Sequence, residues 1–540
     1  MATPADGKKI VEIYNRLDSD KAAYQAHLRE ISEYLVAVKF LYDQWVAGGK
    51  RHKNIYDGTA IRAHRVFANG LFGNLTPQAT PWFSLTVKNK SIAEISNVKY
   101  WLADTTDRMR SAINASNAPL ALQQVYRSEG WAGTAVLYVE PGKKRYALNC
   151  QAFSVGNCCV LEDAEGVVDA LYRLERFTCR QMIQKWGDKC SEKVQKAHKD
   201  QKYTETFDVI HAVYPRDDYN WNKADNLNMP YASVWVEKEA KNVLAESGYQ
   251  EFPYAVPRWE KDENEQYGRS PGMDALPDGR MLNQMCYDNW RGIQKQIDPP
   301  LLATSEAALS TTVTRPAGII YYKPGHEPKQ LQSNGRFEIA LEVEEGRRRA
   351  IREAFYNDLF QLLASDNRTD RTAYEISKRL EENIYILGPA LGRQQVELLD
   401  PFLSRVFWLL FRAGAILPPP RELMGQGLEV EYTGRLALMM KAYETRATVD
   451  TLNAVAPLAQ INPEIMDNYN LDEIAQGTAL RAGVPVKYLN PPEFVAEIRQ
   501  KRAEALKAQQ EAETLERAAQ QIPNLAKGAE KGSVLEALNQ

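Results

Sequence analysis

Two helical stretches separated by a segment that cannot be helical constrain this chain more than any other feature. Pro271 to Gln296 and Glu338 to Leu363 have helical patterning; between them lie Pro299-Pro300 and an insert carrying Val313, Ile319-Ile320 and Tyr321-Tyr322. Tandem prolines fix two φ angles and remove two amide donors, so no helix runs through them. The β-branched and aromatic residues beyond them favour strands. The chain must leave one helix, make a β-rich excursion and return along another. The second helix spans about 39 Å at 1.5 Å per residue. Ile339, Val343, Ala350 and Ala354 share one face, which Phe355, Leu359 and Leu362 extend. Glu344 and Glu345 stand four residues ahead of Arg348 and Arg349, the favoured order for helical ion pairs. That side is either a solvated face or one that meets the same helix of a neighbouring subunit.

The N-terminal part reads as one helix from Ala5 to Trp45, a break at Gly48-Gly49, and a second helix from Thr59 to about Leu75. In the latter, Ala60, Ala63, Phe67, Leu71 and Leu75 recur on one face. Pro81 to Leu85 looks like a chain entering a strand, and further helix covers Ile92–Asn114 and continues after Pro119 to Glu129. From Gly130 the texture is β-branched and turn-rich. Strands are expected at 134–139, 167–173, 207–213 and 231–237, in one small antiparallel subdomain with a helix near Cys179–Trp186. After the polar run Ser365–Arg371, an apolar stripe from Leu380 to Leu409 predicts a long helix kinked at Pro389 and Pro401. A last helix starts at Asn490; from Glu497 to Gln521 it has few large apolar residues, which suggests packing against copies of itself.

The chain has 540 residues, enough for roughly three to five structural units. It carries 67 basic and 70 acidic residues, net −3. That balance disfavours a whole surface built to grip phosphates, so any contact with DNA is local or passive. Six scattered cysteines without a CxxC, and six histidines without an HxxxH pair, give no metal spacing and no disulfide framework; buried, reduced thiols are expected. The polar start, Met1–Arg16, lacks the apolar core of a signal peptide, and Val406–Phe411 is far short of the about 20 residues a bilayer needs. The expectation is a soluble chain, intracellular when made.

Gly268-Arg-Ser-Pro-Gly272 matches the G-x-S-x-G of a hydrolase elbow. That elbow needs a backbone N–H on the residue after the serine, and Pro271 has none. There is no phosphate loop and no G-x-G-x-x-G. No catalytic residues, cofactor or metal are expected.

Several segments taken in order resemble one family, the podovirus-type bacteriophage head-to-tail connectors, or portal proteins. They are residues 56–85 (Tyr-Asp-Gly-Thr-Ala through Pro-Trp-Phe-Ser-Leu), Phe252–Trp259, Tyr267–Pro271, Ala275–Asp278, Asp298-Pro-Pro300, Arg315–Gly318, Arg371–Ile376 and Leu387–Arg393. Arg315-Pro-Ala-Gly departs from a commoner Arg-Pro-Gly-Gly, and the chain after Pro523 has no counterpart. The resemblance implies an α+β, mainly α, portal fold forming a ring of twelve at one capsid vertex. It implies no membrane and a virion location, with assembly in the host cytoplasm. Double-stranded DNA would be packaged through it by the terminase large subunit, retained, and ejected at infection. The other implied partners are a tail adaptor, the major capsid and scaffold proteins, and internal ejection proteins. Twelve copies at −3 give 12 × −3 = −36 formal charges, which suits a conduit that repels the duplex.

On this reading 1–266 is a wing with its β subdomain at about 130–250, 267–298 the first stem helix, 299–337 the clip and 338–363 the second stem helix. The channel loop is 364–372, a kinked wing helix 373–420, and the crown or barrel 421–540. Arg315, Tyr321, Tyr322 and Lys323 would dock the terminase and adaptor. Asn367, Arg368, Asp370 and Arg371 would line the channel, and Glu344, Glu345, Arg348, Arg349 and Arg352 would meet the next subunit. A scaffold or tail component of a virion, or a serine hydrolase, are the alternatives.

Overall fold

The computed structural model describes residues 6–41, 48–93, 95–142, 147–220, 222–223, 225–297, 301–302, 329–330, 337–364, 387–434, 448, 451–458, 462–481, 489–490 and 492–529. The chain divides into two units, Met1–Met440 and Lys441–Gln540.

The first unit opens with α1 (Gly7–Asp20) and α2 (Ala22–Ile31), followed by a π turn over Ser32–Val36. The single helix expected over 5–45 is therefore broken at Lys21 and stops where Ala37 turns left-handed. Lys21 is buried at that break, its ammonium bonding the carbonyls of Gly156 and Cys158, both at 2.9 Å. Next comes α3 (Thr59–Leu75), with all five of its expected stripe residues buried. Strand β1 (Phe83–Val87) leads to the short α4 (Lys90–Ala93), α5 (Ser96–Asn114) and α6 (Ala118–Ala132).

The β region forms two sheets where one was expected. Strands β2 (Val136–Pro141), β3 (Leu148–Phe153) and β9 (Tyr254–Ala255) form a three-stranded sheet. Strands β4 (Cys158–Glu162), β5 (Val168–Thr178), β6 (Thr206–Pro215), β7 (Tyr231–Glu237) and β8 (Val243–Tyr249) run as an antiparallel meander. Helices α7 (Cys179–Trp186) and α8 (Glu192–Lys199) interrupt the meander and bury Met182, Trp186 and Val194 against Phe207, Val209 and Leu244. Another cluster seats Ile10, Val11 and Tyr14 of α1 on Ile210, Val234 and Val236. Five of the six cysteines are buried, and all six are free thiols.

Helix α9 (Pro271–Ile297) leads to β10 (Leu301–Leu302), which pairs with β11 (Lys329–Gln330), and α10 (Phe337–Ala354) follows. The helix expected to run unbroken to Leu363 stops here. Tyr356 adopts φ 53, and α11 (Asn357–Ala364) starts in a new direction. Phe355 is buried beside Phe67 and His64, and Phe360 lies where a side chain at Gly70 would otherwise stand. Packing both rings on α3 is what an uninterrupted helix does not allow.

Residues 387–394 form α12, which passes through a π turn at Gln395–Leu399 into α13 (Asp400–Arg412). The irregularity expected at Pro401 is this π turn, which absorbs the hydrogen bond proline cannot donate. Pro389 falls in the first described turn. Strand β12 (Leu428–Tyr432) then pairs with β1, from Phe83↔Tyr432 to Val87↔Leu428. Residues 421–434, expected in the C-terminal crown, thus belong to the first unit.

The second unit holds α14 (residues 451–458), α15 (Leu471–Arg481) and α16 (Pro492–Ala529), which begins two residues later than expected. Arg499 ties α16 to Asp472 of α15 with contacts of 2.5 and 2.6 Å. Among the described residues, no helix is long and apolar enough to cross a membrane.

Candidate functional site at the α9–α10 pair and its anchorage

Helices α9 and α10 lie side by side and run antiparallel, since Asp278 meets Arg347 near one end while Asn289 meets Glu344 towards the other. Polar side chains inside the pair join it to the segment that precedes α3. The Asn283 carboxamide oxygen accepts from the Tyr56 and Asp57 amides at 2.9 and 3.2 Å, and its nitrogen donates to the Tyr34 carbonyl at 2.6 Å. Arg348 donates to Asp57 and to Glu344, both at 2.9 Å. Burial alone would raise the Asp57 carboxyl; the bonds from Thr59 and Arg348 outweigh it and hold the group below the usual carboxylate range. Each buried charge therefore has a partner that offsets its desolvation.

The base of α9 is built from the Tyr267–Pro271 motif. The Gly268 amide donates to Thr134 at 2.7 Å, and the Ser270 hydroxyl donates to the Trp131 carbonyl at 3.0 Å while accepting from the Met273 amide at 3.0 Å. Ser270 is a buried helix cap, with Pro271 at the first helical position, as capping chemistry favours. Opposite it, Gly133 has φ +74, and a Cβ there would stand 2.3 Å from the Gly268 carbonyl oxygen. Only glycine fits.

The Phe252–Trp259 block is a hub. Arg258 is buried; its amide, Nε and Nη2 reach Glu397 on the π turn at 2.9, 3.0 and 2.8 Å, and its Nη2 also reaches the Gly166 carbonyl. It also pairs with Glu162, which Lys261 holds at 2.7 and 2.9 Å. Glu251 receives Arg405 and Arg412 from α13. The Tyr267–Pro271 and Phe252–Trp259 segments, with Asp57 of the 56–85 segment, thus join the α9–α10 pair, the three-stranded sheet and the α12–α13 helix. The Ser270 hydroxyl in this frame is buried and already engaged as donor and acceptor.

Residues 7–489 match the model of one protein family, described as bacteriophage head to tail connecting protein. The chain belongs to this family. The connector is 33% identical over 530 residues to a "Probable portal protein" of Bordetella phage BPP-1, covering 96% of this chain and 95% of the relative. It is 27% identical over 514 residues to the "Portal protein" of Salmonella phage epsilon15, with coverage of 93% and 92%. A solved chain titled "Virion of native gene transfer agent (GTA) particle" aligns with 75% of this chain and 90% of its own length at 12% identity, with a TM-score of only 0.32.

In this connector the five expected interface residues all lie on α10, but not on one free face. Glu344 is buried and bonded to Asn289 and Arg348 of its own chain. Arg348 is spent on Asp57 and Glu344, and Arg352 reaches Glu345 at 2.6 Å. Within one chain Glu344 is buried and Arg348 half-buried, each with partners of its own chain. Arg349 is exposed. Arg315, Tyr321, Tyr322, Lys323, Asn367, Arg368, Asp370 and Arg371 lie outside the described residues. Sequence reasoning missed Asp57, Asn283, Arg258 and Glu397. Asp57 and Arg258 stand inside the quoted motifs, beside Gly58 and Trp259, and that placement was the available signal.

Proposed function

We propose that this connector is a phage portal, a ring of twelve at one capsid vertex through which the terminase packages double-stranded DNA. The same ring then retains the genome, takes the tail adaptor and releases the DNA at infection. The observation that carries the reading is the anchored α9–α10 pair, which leaves the body before residues 298–336 and returns after them. Its outer surface supports a contact between copies. Trp290, Ile293 and Ile297 recur at helical spacing on α9 and are exposed, Trp290 by 57% and Ile297 by 79%. Leu341 and Val343 add exposed apolar surface on α10. A helix turns such a row outward at a cost unless another surface covers it. In a ring, each copy presents that face to the next through a heterologous contact that closes.

Within this reading, 299–337 is the clip, with Arg315, Tyr321, Tyr322 and Lys323 meeting the terminase and adaptor. The 364–372 segment projects Asn367, Arg368, Asp370 and Arg371 toward the duplex, and Arg349 faces the neighbouring subunit. Native mass spectrometry and negative-stain images of the purified chain test the proposal. Twelve chains make a particle of about 730 kDa with a central hole. A monomer at all concentrations, or a filament without a hole, would reject it.

A further inference from the structure

One surface of the first unit departs from the acidic balance of the chain. Between Gly48 and Leu75 the sequence holds Lys50, Arg51, Lys53, Arg62 and Arg65 against a single acidic residue, Asp57, which is committed to Arg348. Lys50, Arg51, His52 and Lys53 are consecutive and exposed. Arg62 and Arg65 are exposed one turn apart on α3, and Arg127 is exposed on the neighbouring α6. Among the described residues, Arg62, Arg65 and Arg127 make no ion pair. Neither helix carries an exposed carboxylate, because the one acid they contain, Glu129, is fully buried. The His64 ring nitrogen lies 2.7 Å from the Arg127 carbonyl, which sets Arg127 beside Arg65 at this end of α3, and partial burial followed by the charges of Arg65 and Arg51 holds the Arg127 guanidinium below the ordinary arginine range. Like charges with no ion pair among the described residues, as at Arg62, Arg65 and Arg127, are costly when close together unless an anion supplies the missing sign.

We propose that this surface, formed by Lys50–Lys53, Arg62, Arg65 and Arg127, binds the phosphate backbone of double-stranded DNA, at a place separate from the 364–372 segment. Guanidinium groups match phosphate oxygens in bidentate geometry. Asn69 and Gln123, hydrogen-bonded to each other at 3.2 Å across the two helices, and exposed Gln124 border them with amide groups of the kind that contact phosphates without reading sequence. A protein partner would be expected to need an apolar centre. The large exposed apolar side chain on these helices is Leu120, two turns along α6 from Arg127. The choice of DNA as the polyanion rests on the portal reading; the presence of a polyanion site does not.

The test is equilibrium binding of the full-length chain to a labelled duplex of about 30 base pairs of mixed sequence, across a salt series. Replacing Arg62, Arg65 and Arg127 by Gln together should lower the slope of log K against log salt by about 0.9 per lost contact, up to about 2.7, and weaken binding at least tenfold at about 0.1 M salt. The matching Arg→Lys variant should keep most of the slope. A control losing three charges elsewhere, Arg180→Gln with Lys196→Gln and Lys199→Gln, should keep it too. An unchanged slope in the first variant, or an equal loss in the control, overturns the proposal. So does loss of all duplex binding in Arg368→Gln/Arg371→Gln. Polyglutamate displacing the duplex at matched charge, with the duplex bound no more tightly, would assign the surface to an acidic protein segment instead. Images of the same preparations score ring formation separately, so a failed portal reading and a failed DNA site are told apart.

Discussion

Glu129 is a carboxylic acid placed where water does not reach. It is fully buried on α6, and neither carboxyl oxygen has a hydrogen-bond donor in bonding geometry. Burial first, and the Glu397 charge second, push its carboxyl well above the usual range, and Gln394 beside it offsets only part of this. The group is then protonated in the folded chain at pH values where the unfolded chain has lost the proton. Stability falls as pH rises wherever the folded state binds more protons. The penalty begins near the ordinary value of 4.5 and grows by about 1.4 kcal/mol per pH unit until the folded value is reached. Glu129→Gln removes that penalty while keeping the shape. The variant should unfold at higher denaturant than the parent at pH 8, and the gap should close as pH falls toward 4. Parallel curves across this range would mean that the carboxyl is ionised in the fold and the burial argument fails.

At the scale of elements, what the sequence reveals depends on whether the cause is local. Helix α3 was legible end to end because its apolar residues recur every three or four positions between a Gly-containing start and Thr76-Pro77. Helix α7 was legible for the same reason. Strands β3, LNCQAF, and β8, VLAESGY, have mixed residues and no clean alternation, so only their neighbours in the sheets make them strands. Strand β12 finds β1 across more than 330 residues, and nothing near residue 428 announces that partner. The left-handed Tyr356 lacks the glycine that usually marks such a turn; the burial of Phe355 and Phe360 imposes it. On α10 the Glu–Arg spacing was visible, but the pairing of Arg348 with Asp57 is set by tertiary structure. That distinction has a test. Arg348→Ala leaves the Asp57 and Glu344 carboxylates without their cation and should cost about 2–3 kcal/mol in the chain itself, read by denaturant unfolding. Arg349→Glu should leave that stability within about 0.5 kcal/mol, as exposed changes do, and instead reduce the ring population in sedimentation. Equal effects on stability would merge the two residues into one structural role.

For the whole molecule, the distribution of apolar packing separates folding from assembly. All four hydrophobic clusters of the described residues lie within the first unit, from Ile10 to Leu423. In the second unit, α16 runs 38 residues, about 57 Å, with Phe494 and Leu506 exposed and charged residues frequent from Glu493 to Arg517. A helix of that composition gains little from its own chain beyond the Asp472–Arg499 pair. An exposed pair of this kind contributes at most about 1 kcal/mol. Such a helix is expected to gain its order from other copies, whereas the exposed α9 row belongs to a unit that holds its own core. A chain ending after Met440 should then keep the cooperative unfolding transition of the full protein and still form rings in native mass spectrometry. The fragment 441–540 alone should show helical circular dichroism that rises with concentration, as association-dependent helices do. If the shortened chain is folded but monomeric, assembly resides in the C-terminal helices, and the α9 stripe of Trp290, Ile293 and Ile297 must face something other than a second copy.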